Sequence, residues 1–126
     1  MTDMTIPGVA GWIEHSGPDQ ASAQAFYSEV TGWKIAGMPM QDGSTYPGIL
    51  VDDQPIGGFS PKPAKNGEWT IFITVPDVDA SVARAKAAGG EILSEPADAP
   101  GVGRLATLKD PQGARFALIT YESMQN

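Results

Sequence analysis

Hydrophobic and polar residues alternate most clearly in the run Trp69-Thr70-Ile71-Phe72-Ile73-Thr74-Val75. Its branched and aromatic side chains predict a β-strand. Trp69, Ile71, Ile73 and Val75 form a wholly apolar face suited to packing under helices. Thr70, Phe72 and Thr74 form the other face, a mixed surface suited to a small-molecule pocket. Pro76 ends the run, and Asp77 is placed to cap a helix by accepting a bond from a first-turn N–H. That helix carries Val82, Ala85 and Ala88 on one face and stops at Gly89-Gly90. A new strand then begins near Glu91.

The same order of elements occurs earlier. Trp12-Ile13-Glu14-His15-Ser16 reads as a strand, Asp19 as a cap, Gln20–Val30 as a helix, Gly32 as its stop, and Trp33-Lys34-Ile35 as the next strand. Asp19 matches Asp77 and Gly32 matches Gly90, each 58 positions apart (77 − 19 and 90 − 32). The segment from Asp53 to Phe59 matches Gln112 to Leu118 at an offset of 59 (112 − 53). A repeat of this length indicates one supersecondary unit used twice.

Between the copies, short strands are predicted at Tyr46–Val51 and Pro55–Phe59, with Asp52-Asp53 as a hairpin turn. Residues 61–67, rich in proline, lysine and glycine, read as a linker or as a long hairpin loop. One domain over residues 1–126 follows, with a first module at about 9–60 and a second at about 68–122. Residues 1–10 form an irregular lead-in, the segment Ala97 to Gly103 a rim loop, and the polar tail after Tyr121 a frayed end.

Composition narrows the function classes. With 41% hydrophobic and 18% charged residues the chain is globular. It has no cysteine, which removes disulfides, thiolate chemistry and cysteine metal sites. Eight Lys and Arg and a net charge of −7 argue against nucleic acid. No stretch resembles a signal peptide or a membrane helix, so the expected location is the cytoplasm.

Four motifs, in this order, resemble the vicinal oxygen chelate superfamily, which includes glyoxalase I, extradiol dioxygenases and bleomycin-resistance proteins. They are Phe26-Tyr27 with Thr31-Gly32-Trp33, Pro76 to Asp79 with Ala88-Gly89-Gly90, Pro100 to Arg104, and Asp110 to Phe116. The resemblance implies an α+β fold of two βαβββ modules, forming a cup-shaped mixed sheet with helices on the outer face. It also implies a homodimer, and, in metal-using members, a divalent ion held by four side chains on the first and fourth strands of the modules. Those positions map to Trp12, Gly58, Thr70 and Ala117. Trp, Gly, Thr and Ala do not make a divalent-cation site, so no cofactor is expected.

Other residues are placed on the cup face by alternation. Glu14 shares a face with Trp12, where it can accept a hydrogen bond, hold a cation, act as a base, or serve as a structural carboxylate. His15, the only histidine, points the other way. On the last strand Arg115, Ala117, Ile119 and Tyr121 face the cup, and Phe116 and Leu118 the core. Trp12, Phe72 and Tyr46 suit an aromatic or cationic small molecule, or simply fill the cup. Arg104 either binds an anionic group or pairs with a carboxylate such as Glu14.

The ligand-binding set is therefore Trp12, Glu14, Tyr46, Thr70, Phe72 and Arg104. The expected function is metal-free binding of a small molecule, as in the bleomycin-resistance branch. The alternative is a lyase, isomerase or dioxygenase-like enzyme, with a displaced metal site or with Glu14 as general base.

Overall fold

A computed structural model describes residues 3–124. The chain divides into two compact units, Ile13–Thr70 and Met1–Trp12 with Ile71–Asn126. Along the chain the element order is β-α-β-β-β, twice. The first copy is β1 (Ala10–Ser16), α1 (Gln20–Thr31), β2 (Lys34–Pro39), β3 (Thr45–Val51) and β4 (Gln54–Phe59). The second is β5 (Glu68–Thr74), α2 (Val78–Ala87), β6 (Glu91–Ala99), β7 (Gly103–Lys109) and β8 (Arg115–Tyr121). The α+β fold with two βαβββ modules is as expected.

Within each copy the first and fourth strands are parallel neighbours, and the remaining pairs are antiparallel. In the first copy the order is β2-β3-β4-β1, and in the second β6-β7-β8-β5. Glu14 lies opposite Gly58 and Phe72 opposite Ala117. These partners are related by offsets of 58 (72 − 14) and 59 (117 − 58), the offsets seen in the sequence.

Local chemistry explains the helices. Asp19 and Asp77 both sit in extended backbone, and their carboxylates accept from Ser22 N at 3.0 Å and Ala80 N at 3.2 Å. Each satisfies one of the N–H groups that a first turn leaves unpaired. Gly32 ends α1 in the left-handed conformation, with φ of 76°.

Three boundaries differ from the sequence reading. The lead-in is tied down: Gly8 N–H bonds Thr74 O at 2.7 Å and Thr74 N–H bonds Val9 O at 2.9 Å. The rim loop is shorter, because Ala97, Asp98 and Ala99 pair with β7. Pro96 falls where the register shifts between Ser94 and Ala97, so its missing N–H does not interrupt an even ladder. At the far end Glu122–Met124 form a 3₁₀ turn, while residues 1–2 and 125–126 lie outside the described ones.

The two copies pack their helices differently. Val78 and Val82 of α2 pack against Ala106, Leu108 and Leu118, with Ile73, Val75 and Phe116 alongside. No residue of α1 is buried. Its Tyr27 instead joins an aromatic group with His15, Trp33, Phe59 and Trp69, at centroid separations of 5.1 to 6.3 Å. The predicted apolar face of β5 is incompletely packed, since Ile71 is left 46% exposed.

Candidate functional site

Glu14 lies in the middle of β1 beside β4, whose Gly57 and Gly58 are both buried. Glycine at 58 is a packing requirement: a Cβ there would lie 2.1 Å from the Tyr46 ring. The tyrosine leans from β3 across the bare Gly58 backbone and donates its O–H to Glu14 Oε2 at 2.9 Å. Two residues of the predicted binding set, Glu14 and Tyr46, are thereby brought into direct contact. The pair offers a carboxylate acceptor beside a phenol, the elements of hydrogen-bond recognition and of proton transfer.

His15 lies on the other face of β1, as alternation requires, and is only 8% exposed. Gln20 determines its proton. The Gln20 Nε2 donates to His15 O at 2.8 Å and Ser60 O at 3.0 Å, so Oε1 is the atom 2.8 Å from His15 Nδ1. Oε1 can only accept, and Nδ1 therefore carries the hydrogen. The ring edges onto Trp69 at 5.1 Å and Tyr27 at 5.7 Å. This histidine fastens β1 to α1 inside an aromatic core and is separated from Glu14 by the pleat of the strand.

Thr70, in the same unit as Glu14, is buried. In the other unit Trp12 and Phe72 belong to an apolar cluster with Ala117, Ile119, Val102, Leu105 and Tyr121. Ala117, Ile119 and Tyr121 share that side of β8, as alternation predicts. Alternation gives Tyr121 a face but no role, and its hydroxyl is enclosed with no hydrogen-bond partner among the described residues. Burial pushes its pKa up, which keeps it protonated at neutral pH.

Of the two readings of Arg104, an anionic ligand group or a carboxylate such as Glu14, its own unit supplies carboxylates, Asp79 and Asp98. Arg104 grips Asp79 with Nε at 2.7 Å and Nη2 at 3.0 Å, and Asp98 with Nη1 at 3.2 Å. The fork geometry matches the two oxygens of one carboxylate. The guanidinium holds the Asp79 carboxyl below the usual range.

The family's metal does not fit these residues. Of the four mapped positions, Trp12, Gly58 and Ala117 offer no metal donor, and the Thr70 hydroxyl is a weak one. The volume a side chain at 58 would need is occupied by the Tyr46 ring. Among the described residues, no three His, Cys, Asp or Glu are grouped to hold an ion. A surface cavity of about 580 Å³ lies elsewhere, between the end of α1 and the β3–β4 turn, lined by Trp33, Lys34, Asp52 and Asp53. It contains none of the predicted site residues. Among the described residues, no helix is long and apolar enough to cross a membrane.

Comparison with known proteins agrees with the fold. A family model described as a glyoxalase-like domain matches residues 12–119. CFP32 of Mycobacterium tuberculosis, which carries a provisional glyoxylase name, is 41% identical over 99 residues, 77% of this chain and 38% of that protein. The anthracycline biosynthesis protein DauV of Streptomyces sp. strain C5 is 35% identical over 117 residues, 90% of this chain and 42% of that protein. The chain thus spans about two fifths of the length of these curated relatives. Among solved structures, Streptomyces coelicolor methylmalonyl-CoA epimerase in complex with 2-nitronate-propionyl-CoA superposes with a TM-score of 0.61. It is 17% identical, covering 94% of this chain and 97% of that one. The Mn(II)-bound glyoxalase from Novosphingobium aromaticivorans gives a TM-score of 0.60 at 22% identity, covering 90% of this chain and 40% of that one. At these identities the likeness is one of fold. With the family model extending over nearly the whole repeat, the chain belongs to the glyoxalase-like domain family of the vicinal oxygen chelate superfamily.

Proposed function

We propose that this protein binds a small organic molecule without a bound metal, with the Glu14–Tyr46 pair as its polar anchor. The observation that carries this reading is the Tyr46 ring lying over Gly58 with its hydroxyl on Glu14. A phenol–carboxylate pair stands where metal-using relatives are expected to place a donor. The pair favours a ligand that presents a donor or positive charge to the carboxylate and a flat face to the ring. Thr70, on a neighbouring strand position, is proposed to line the same unit's site. Trp12 and Phe72 are proposed as a separate apolar contact surface in theirs. Arg104 is not favoured as a ligand anchor, because three of its N–H groups are directed at Asp79 and Asp98. The chain is further proposed to act as a cytoplasmic homodimer.

The test is a ligand screen by calorimetry weighted toward aromatic cations, followed by Glu14→Gln and Tyr46→Phe. Loss of the carboxylate charge is expected to weaken a cationic hit about tenfold or more, equivalent to about 1.4 kcal/mol. Unchanged affinity in both variants would reject the anchor. A second reading, a metal-free enzyme with Glu14 as general base, is favoured by the 2.9 Å contact that places a proton donor on the carboxylate. Turnover of a bound hit, lost in Glu14→Gln, would select it.

A further inference from the structure

Residues 60–67 carry the chain from β4 to β5, and their attachments stop at Ala64. Ser60 N–H bonds His15 O at 2.7 Å, Lys62 N–H bonds Ser60 Oγ at 3.2 Å, and Ala64 N–H bonds Gly17 O at 3.2 Å. The strand β5 begins at Glu68. In between, the backbone N–H groups of Lys65, Asn66 and Gly67 have no hydrogen-bond partner among the described residues, and neither has the Asn66 carboxamide. Asn66 and Gly67 are both exposed. Asn66 is the only asparagine among the described residues, and a glycine follows it.

We propose that Asn66 is a site of spontaneous covalent modification, converting to isoaspartate through attack by the Gly67 backbone nitrogen. The nitrogen gives up its proton and bonds to Asn66 Cγ. The Cγ–Nδ2 bond breaks, and ammonia leaves with that proton, closing a succinimide ring. Water then opens the ring at either carbonyl, leaving isoaspartate or aspartate at 66. Nucleophile and carboxamide are both unengaged, so no protein hydrogen bond has to break first. Glycine at 67 gives the nitrogen the backbone freedom to reach its target. The pair Asp42-Gly43 supplies an internal contrast. The Asp42 carboxylate accepts from the Ser44 hydroxyl and from Ser44 N–H at 2.9 Å, which hold it below the usual carboxylate range. An ionised carboxylate resists a nitrogen nucleophile, whereas the Asn66 carboxamide is neutral and stays open to attack. The product lengthens the main chain by one methylene and adds a carboxylate to a chain of net charge −7. A Cβ at 67 would stand 3.8 Å from His15 Nε2, so the altered backbone borders the histidine that fastens β1 to α1. No bound ligand takes part, so this site stands whatever becomes of the Glu14–Tyr46 anchor.

The test incubates the whole folded chain for days in mildly alkaline buffer at body temperature. Peptide mapping by mass spectrometry then uses fragmentation that separates isoaspartate from aspartate. Residue 66 is expected to gain one mass unit and to carry isoaspartate, with Asp42 unchanged. Gly67→Ala is the control. Its Cβ meets nothing closer than His15 Nε2 at 3.8 Å, and Gly67 is not among the glycines of positive φ, so alanine fits the fold. The added methyl group hinders the nitrogen and is expected to slow the reaction about tenfold or more. An equal rate in Gly67→Ala would overturn the proposal, as would isomerisation of Asp42 as fast as the change at Asn66. So would conversion at Asn66 in the urea-unfolded chain but none in the folded one, because the folded loop would then hold the nitrogen out of line.

Discussion

A methyl group added at Gly58 would strike the Tyr46 ring, with carbon atoms 2.1 and 2.4 Å away. Gly58→Ala is therefore expected to destabilise by roughly 1–3 kcal/mol, the range for an overfilled site. Urea unfolding checks this. In a Tyr46→Ala background the same substitution should cost little, and equal costs in both backgrounds would show that the ring is not the cause. The adjacent pair Glu14 and His15 shows how sharply one position matters. One accepts a hydrogen bond from Tyr46 and the other supports an aromatic core, because successive side chains leave opposite faces of a strand.

At the scale of elements, the β3–β4 hairpin turns on Asp52 and Asp53, both with positive φ, at 53° and 60°. Val51 pairs with Gln54, so the turn is a two-residue loop of the kind that favours Asn-Gly. Asp53→Gly is expected to raise stability by about 0.5–1 kcal/mol, because aspartate bears a steric cost in that region. The substitution also removes the Lys34–Asp53 ion pair, but at 3.8 Å and largely in solvent that pair is worth little. A lower thermal midpoint would refute this.

Arg104 joins α2 to β6 and β7 through Asp79 and Asp98. Because the Asp79 pKa is depressed, its contribution to stability is present above the ordinary value of 3.8 and fades as pH falls through the depressed one. Arg104→Ala should return the Asp79 titration, followed by NMR, to the ordinary aspartate range. An unmoved titration would assign the shift to another group.

For the whole molecule, the residue types at Trp12, Gly58, Thr70 and Ala117 predict that no divalent ion is retained. After loading with Zn, Ni, Mn or Fe(II) and dialysis, elemental analysis should find well under one equivalent. One tightly held equivalent would overturn the mapping. The two copies also differ in how their helices are held, α2 by buried valines and α1 by the Tyr27 aromatic contacts. The sequence registered the duplication but not this asymmetry, because capping residues and periods repeat while the packing partners do not.

The amino-acid sequence by itself determined most of the elements, their caps and glycine stops, the alternation of faces along β1 and β8, and the twofold βαβββ order. These depend on neighbours a few positions away, where dihedral preference and hydrogen-bond supply act locally. Tertiary structure alone decided which side chains meet. Tyr46 reaches Glu14 across 32 positions and Arg104 reaches Asp79 across 25, through strand registers and helix placements that no local pattern specifies. It also enclosed the Tyr121 hydroxyl without a partner among the described residues, since enclosure is a property of everything packed around a group, not of the group's own neighbours in the chain.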